Sequence, residues 1–210
     1  MAQPIVVQYG LTTAANATNV VNAVGTTGPN INLLSASVVL DTQRRLLFTT
    51  AGNESANTFV IVGLNAANMT VSENLTGPNA STTQTSLDYK TVISIKALAT
   101  TAGTISVGTN GVGSSLWNIM NWNATPVNIE CAVVVQSGSA NWTVQYTYDD
   151  PNNLPANVSV PTAFNHPTLV ATTSPLDGAI NDPVTAIRFL INSGTGTIRG
   201  TIIQAGAASP

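Results

Sequence analysis

Apolar residues along this chain recur at every second position far more often than at the spacing of a helix. β-branched Val, Ile and Thr dominate the apolar runs, which favours the pleated, half-buried surface of a strand. Short stretches rich in Gly, Pro, Asn and Asp separate the runs, and the backbone preferences of these residues make turns. The pattern predicts an all-β protein with a β-sandwich or jelly-roll-like architecture.

The runs predicted as strands cover most of the chain. In order they are PIVVQY, NLLSASVVL, RLLFTT, TFVIVGL, MTVSENLT, YKTVISIKAL, GTISVGT, SLWNIMNW, VNIECAVVVQ, NWTVQYTY, VTAIRFLIN and GTIRGTIIQ. A helix fits only TTAANATNVVNAV and PTAFNHPTLVA, and the Asn and Thr content argues against a helix in the first.

Turn signals and strand density divide the chain into two β units. We expect residues 1–40 to form an N-terminal arm or the first strands, residues 41–125 a first β-sandwich unit, and residues 126–210 a second. Alternation in NWTVQYTYDD predicts a strand of the second unit with one buried face, carrying Trp142, Val144, Tyr146 and Tyr148. Its other face carries smaller polar side chains: Thr143, Gln145 and Thr147.

The second unit is predicted to close with a β-hairpin. In residues 185–206, TAIRFLINSGTGTIRGTIIQAG, two period-two runs flank Ser-Gly-Thr-Gly, and glycine permits the positive φ of a tight turn. A phosphate-binding loop is disfavoured, because its glycines should lead into a helix and these lead into a strand pattern. Arg188 and Arg199 flank the turn and are candidates for surface or intersubunit pairing.

Charge indicates a component of an assembly more than a free domain. Only 7% of the 210 residues are Asp, Glu, Lys or Arg, against about 25% in typical soluble proteins, while 43% are hydrophobic. The surface then lacks the Lys and Glu that repel neighbours and protect sheet edges. A net charge of -3 gives no footprint for nucleic acid or an anionic membrane, so neither is an expected partner.

The single cysteine and the single histidine have structural explanations. Cys131 lies on the alternating apolar face of VNIECAVVVQ, which predicts a small buried hydrophobe. His166 precedes a proline in AFNHPTL, where we expect a loop histidine packed beside Phe164, since no nucleophile turn accompanies it. One Cys and one His at distant positions also do not make a zinc site.

We assign none of the acidic residues to a catalytic, cofactor-binding or metal-binding site. Asp149, Asp150 and Asn152 offer closely spaced oxygen ligands for a structural Ca²⁺ ion, but the stretch lacks the Gly and distal Glu of an EF-hand loop. Asp and Asn are also ordinary turn formers. The glutamates fall in different runs, unlike the paired carboxylates of a glycosidase: Glu54, Glu73 and Glu130.

The sequence contains three tryptophans whose rings could together form a platform that stacks against a carbohydrate ring. Trp117, Trp122 and Trp142 each sit in a strand-like apolar context, where burial in the core is the commoner outcome. We therefore expect core burial, and the enzyme hypothesis has no residues to support it.

The C-terminal stretch resembles small structural proteins of tailed phages and prophages. NWTVQYTYDD, then AFNHPTL, then INDPVTAIRFLINSGTGTIRGTIIQAG follow the order of a Val-x-x-Thr-x-Asp-Asp strand end, a His-Pro loop and a final Pro-Val-x-Ala-Ile-Arg segment. The upstream TFVIVGLNAANMTVSENLTGPN, YKTVISI and TISVGTN are similar to the preceding β domain, so the similarity spans about residues 40–206. The loop after FVIVG departs from the family, with Leu64, Asn65 and Ala66 to Asn68 where related chains often have Thr-Asp and a Gly.

This resemblance implies a non-enzymatic virion protein. Because no charged side chain precedes Asp41 and no apolar run approaches the length of a membrane span, we expect synthesis in the host cytoplasm without export. The leading expectation is a head decoration or cement protein that binds the major capsid protein on the outside of the capsid as a homo-oligomer. A trimer at capsid threefold positions is favoured, since closed symmetry covers edge strands. A tail or neck component, or a receptor-binding or carbohydrate-binding module of the tail, remains the alternative.

Overall fold

The fold is given by a computed structural model, which describes residues 4–25, 28, 30–154 and 160–208, with backbone alone at 125 and 206–208. The described residues form 18 strands in four antiparallel sheets and no helix, which confirms the all-β prediction. In chain order the strands are β1 Ile5–Gly10, β2 Asn16–Val24, β3 Asn30–Ile31, β4 Val38–Arg44, β5 Leu46–Thr50, β6 Thr58–Leu64, β7 Thr70–Thr76, β8 Thr82–Gln84, β9 Tyr89–Ala97, β10 Ile105–Thr109, β11 Gly113–Ser114, β12 Asn118–Ile119, β13 Ala124–Ser137, β14 Ala140–Thr147, β15 Phe164–Asn165, β16 Leu176–Ile180, β17 Ala186–Gly194 and β18 Thr197–Ala208.

The chain divides into two compact units, but not at the predicted boundaries of 1–40, 41–125 and 126–210. The terminal unit comprises Met1–Thr12 and Ser114–Pro210, and the inner unit comprises Thr13–Gly113. The first strand belongs to the terminal unit because β1 pairs with β18 along its whole length. The predicted boundary at 125 falls inside β13. Pairing between the first and last strands could not be predicted, because it leaves no local pattern in the sequence.

The terminal unit is a sandwich of two sheets. One sheet has the strand order β1-β18-β13-β16, and the other has the order β11-β17-β14-β15 with β12 also paired to β17. Alternate side chains of both sheets point inward and form one apolar core, in which Ile129, Cys131 and Ile202 of the first sheet meet Trp142 and Phe189 of the second. The predicted burial of Cys131 is confirmed.

The predicted β-hairpin over 185–206 is wrong, because β17 and β18 lie in opposite sheets. Two corners carry the chain between the sheets, with Gly138 (φ +65°) after β13 and Gly194 (φ +99°) at the end of β17. A Cβ on Gly194 would stand 2.2 Å from the carbonyl oxygen of Ser139, so the two corners pack against each other. Alternation of apolar and polar residues is the same whether consecutive strands pair in one sheet or face each other across a core. The sequence pattern therefore could not distinguish the two arrangements.

Strand β14 is buried on both faces, whereas the sequence predicted one polar, exposed face. Thr143, Gln145 and Thr147 are all buried, with exposures of 9% or less. Polar partners close this outer side: the Thr143 hydroxyl accepts from the Ala171 backbone and from the Asn192 amide. Alternation correctly identified which residues share a face. The polar character of Thr143, Gln145 and Thr147 did not indicate that loops cover their face.

The inner unit is also a two-sheet sandwich. Its sheets have the orders β2-β10-β5-β8 and β3-β9-β6-β7, with β4 paired to β9 beside β3. The core contains buried apolar side chains from both sheets, including Leu46, Phe48 and Ile105 of the first and Phe59 and Ile95 of the second. Phe48 and Phe59 make a tilted ring contact across it, with centroids 5.4 Å apart.

Three further segments differ from their predicted structure. Residues 16–24 form β2, in which Val20 and Val21 are fully buried. The β-branched residues favour this strand over the helix considered for TTAANATNVVNAV. Residues 161–171 contain only the short β15, and the predicted strand SLWNIMNW contains only β12. Among the described residues, no helix is long and apolar enough to cross a membrane.

The contact of Phe189 with Gly200 tests this topology. A Cβ on Gly200 would lie 2.2 Å from Cζ of Phe189, so Gly200→Ala should overpack the core between the sheets. We expect the free energy of unfolding in urea to fall by about 1–3 kcal/mol, although alanine is ordinarily better than glycine in a strand.

Thr201→Ala, one residue along β18 on the outward face, is the matched control and should cost less. Combining Gly200→Ala with Phe189→Leu should restore part of the loss, because the smaller side chain frees the space. Equal effects of Gly200→Ala and Thr201→Ala would contradict the contact across the core.

Candidate functional site

His166 holds a loop of the terminal unit in place. It is 3% exposed, and its Nδ1 accepts hydrogen bonds from the backbone N–H groups of Thr168 (3.2 Å) and Leu169 (3.1 Å). Its Nε2 then carries the proton and donates to the carbonyl oxygen of Ala179, at 3.1 Å. Both ring nitrogens therefore bind backbone groups, and the imidazole links residues 166–169 to β16.

The acidic turn after β14 uses its oxygens for local backbone contacts. Asp149 Oδ2 accepts from the backbone N–H of Thr162 at 2.6 Å, and Asp150 Oδ1 accepts from that of Asn152 at 2.9 Å. In the part of the chain that the structure describes, no group of three or more His, Cys, Asp or Glu side chains could hold a metal ion. The geometry of Asp149, Asp150 and Asn152 is that of a hydrogen-bonded turn.

Buried carboxylates of the inner unit hold loops, a role that the sequence did not reveal. Glu54 is 2% exposed, and its Oε1 accepts from the backbone N–H of Ala102 at 2.6 Å while its Oε2 accepts from Asn57 at 3.1 Å. Glu73 accepts from two consecutive backbone N–H groups through both of its oxygens, at 2.7 and 2.9 Å. Such charge-assisted hydrogen bonds fix irregular backbone at the ends of strands.

Arg44 forms the centre of a second buried polar group in the inner unit. It is fully buried, forms an ion pair with Asp41, and donates from both terminal nitrogens to the carbonyl oxygen of Thr13 at 3.2 Å. Asp41 Oδ2 also accepts from the Thr13 backbone N–H at 2.9 Å. The guanidinium and the carboxylate thus tie the start of the inner unit to β4.

Arg188 of β17 is buried, at 7% exposure, so its predicted surface role is wrong. Its Nε donates to Gln145 Oε1 at 2.9 Å, and its guanidinium lies 4.4 Å from the ring centroid of Trp117, a cation–π distance. The aromatic ring and the amide together replace the water that a lone arginine would need. Arg199 is exposed, as predicted.

The tryptophans do not form one platform. Trp142 is fully buried, as predicted. Trp122 is 45% exposed, which corrects its predicted burial, and Trp117 is partly exposed under Arg188.

Burial changes the acidity of the Cys131 thiol. Desolvation, with the nearby Glu130 carboxylate, raises the pKa of this thiol to about 12 and keeps it neutral at physiological pH.

An exposed aromatic corner lies at the end of β14, formed by Tyr146, Tyr148 and Phe164. Ring centroids of the three pairs are 5.6–5.8 Å apart, with Tyr146 and Phe164 stacked and Tyr148 edge-on to both. Tyr148 is 48% and Phe164 is 43% exposed. Tyr148 was predicted to be buried with Tyr146, but it follows the last residue of β14 and leaves the core.

The outward side of the sheet β1-β18-β13-β16 is a second exposed surface, which we term the outer face. Val6 of β1, Ile203 of β18 and Val134 of β13 are 60%, 46% and 36% exposed on it. Between them lie small, partly exposed side chains, Thr201 and Ala132, which are cross-strand neighbours. The charged residues of this face are Arg199, Glu130 and Asp177.

The inner unit carries a shallow groove of about 510 Å³ along β9. It opens where β3 ends and before β4 begins, so β9 is bordered there by residues 32–36 in place of a strand. Ile93, 42% exposed, is the extra residue of a bulge between β9 and β6 and forms part of its floor. Polar Asn32, Ser94 and Lys96 surround it.

These features define the class as an all-β protein of two sandwich units with exposed apolar and aromatic surfaces. Comparison of the sequence with protein-family models finds no match, and comparison with curated proteins finds none.

The structural role of His166 gives a test on stability. His166→Ala leaves the buried Leu169 N–H without its acceptor, so we expect the free energy of unfolding to fall by about 1–3 kcal/mol in urea titrations. His166→Asn keeps an acceptor near the Nδ1 position and should lose less. An alanine variant as stable as the unmodified protein would contradict the assigned hydrogen bonds.

Proposed function

We propose that this chain is a non-enzymatic structural protein of a phage virion that binds the outside of the assembled capsid and stabilises it. The observation that carries the proposal is the coexistence of very low charge with large apolar side chains left exposed on both units. The terminal unit exposes Val6, Trp122, Tyr148, Phe164 and Ile203, and the inner unit exposes Leu34, Val39, Met69, Ile93 and Leu98. Large apolar side chains that are exposed on a surface with few charges favour burial against protein partners.

The sequence resemblance to tailed-phage structural proteins supports the same proposal and selects the partner, the major capsid protein. A cement protein needs no reacting groups, since it acts by binding the assembled state better than the separated subunits. This linkage stabilises the assembly by about 2.7 kcal/mol per site when free protein is at 100 times its dissociation constant.

Low charge is useful in this role because many copies crowd on one lattice. Like charges on neighbouring copies repel, and 15 charged residues in 210 leave little such repulsion. The trimer suggested by the resemblance stays a prediction, and a tail or neck position is the structural alternative.

Binding to capsids tests the proposal directly. Purified protein is added to capsids from a phage that lacks it, and co-sedimentation is followed together with the temperature of capsid dissociation. We expect saturable binding and a higher dissociation temperature, because the bound protein must be released before subunits separate. Protein that binds purified tails and leaves capsids unbound would contradict the capsid assignment.

The aromatic corner favours one second candidate, a carbohydrate-binding module of the tail. Tyr148 and Phe164 present partly exposed rings, and aromatic faces of this kind suit the apolar faces of sugar rings. The buried Trp142 cannot take part in such a site, so the platform suggested by the sequence is replaced by the aromatic corner.

Glycan binding separates this candidate from the first. If the corner binds host surface polysaccharide, Phe164→Ala and Tyr148→Ala should each weaken binding about tenfold, equivalent to about 1.4 kcal/mol of lost contact. Trp122→Ala, an exposed aromatic in the same unit, is the matched control and should bind normally. Polysaccharide binding that is absent, or that depends on Trp122 instead, would remove the aromatic corner as a sugar site.

A further inference from the structure

We propose that the outer face of the sheet β1-β18-β13-β16 binds the same face of a second copy of this chain. The inference goes beyond capsid binding, since it concerns the isolated protein and is measured without capsids. It proposes a two-fold dimer in place of the trimer that the resemblance suggests. It rests on the exposed apolar side chains of the face, on its charges without an ionic partner and on the placement of Arg199 and Glu130.

The two middle strands of the outer face carry large apolar side chains although the face is exposed to solvent. On β18 and β13, inward residues such as Ile202 and Cys131 are buried, and the outward positions carry Ile203 and Val134, which alternation alone would assign to polar side chains. Thr201 and Ala132 between them are small, which lets a flat partner approach closely. The strands have 12 and 14 residues, so the central part of the face is about 40 Å long.

Within the described residues, no ion pair involves the charges on this face. Among the described residues the only ion pair is Arg44–Asp41, which lies in the inner unit. Arg199 is therefore an exposed cation without a carboxylate, while Glu130 and Asp177 are carboxylates without a cation. Since the terminal unit contains only two arginines and no lysine, and Arg188 is buried, Arg199 supplies the positive charge of the face.

The register places Arg199 and Glu130 on opposite sides of the small centre. Arg199 pairs with Val134, Thr201 with Ala132, and Ile203 with Glu130, in three successive outward rows. Asp177 flanks Ala132 on β16. The Thr201–Ala132 row thus separates Arg199 from Glu130, while Asp177 lies in that row at the β16 side of the face.

A two-fold axis that lies in the interface over that row makes the face complementary to itself. Each Arg199 then stands opposite Glu130 of the other copy, so both ion pairs form at once, as an isologous contact requires. The exposed Val134 and Ile203 are buried in the same contact. Binding to a capsid subunit would not require Arg199 and Glu130 to lie on opposite sides of the Thr201–Ala132 row.

Charge reversal with rescue tests the two-fold contact in the isolated full chain. Sedimentation equilibrium should give a mass of twice 21.6 kDa for the unmodified protein. Arg199→Glu and Glu130→Arg should each weaken association about tenfold or more, because each places like charges opposite one another. The double variant exchanges the two charges and should restore the dimer.

Lys96→Glu, an exposed charge reversal in the inner unit, is the matched control and should dimerise normally. Circular dichroism and urea unfolding of each variant separate lost association from lost folding, and rescue by the double variant cannot arise from misfolding. A monomeric unmodified protein, a trimer, or a dimer unaffected by Arg199→Glu would overturn the proposal. Capsid binding that fails with Arg199→Glu in a monomeric protein would assign the face to the capsid instead.

Discussion

The terminal unit depends on the close approach of its two sheets, where the ring of Phe189 packs on the bare backbone of Gly200. This contact brings β17 against β18 across the core, so consecutive strands face each other and do not pair. Two glycine-containing corners side by side make the crossing possible. Because β18 then lies between β13 and β1, the chain ends are joined in one sheet, and the outward side of that sheet becomes the outer face.

Many of the few charges in this protein are used inside it. Arg44, Glu54, Glu73 and Arg188 are all at most 7% exposed, each bonded to backbone, amide, carboxylate or aromatic partners. Buried charges survive only with such partners, since desolvation otherwise costs several kcal/mol. With Asp88 also buried, five of the 15 charged residues lie inside the units, and ten remain for the whole surface.

The sequence predicted the all-β class, most strands and the burial of Cys131 and Trp142, because alternation reports which residues share a face. It did not predict the partners of each strand, and the interpretation of residues 185–206 as a hairpin failed for that reason. The aromatic corner was missed because Tyr148 continues the alternation of β14 past the point where the strand ends. The outer face had a signal in the consecutive apolar residues 133–135 and 202–203, where one of each adjacent pair must point outward.

Two separate surfaces fit the proposed role. The outer face is proposed to bind a second copy, and apolar side chains elsewhere on both units are then left for the proposed capsid contact. The assignment to the capsid is the central claim, and a cryo-EM map of the virion tests it most directly. The account predicts density for the paired sandwich units on the outside of the capsid shell, bridging neighbouring capsid subunits. Density for this chain in the tail, with none on the shell, would contradict it.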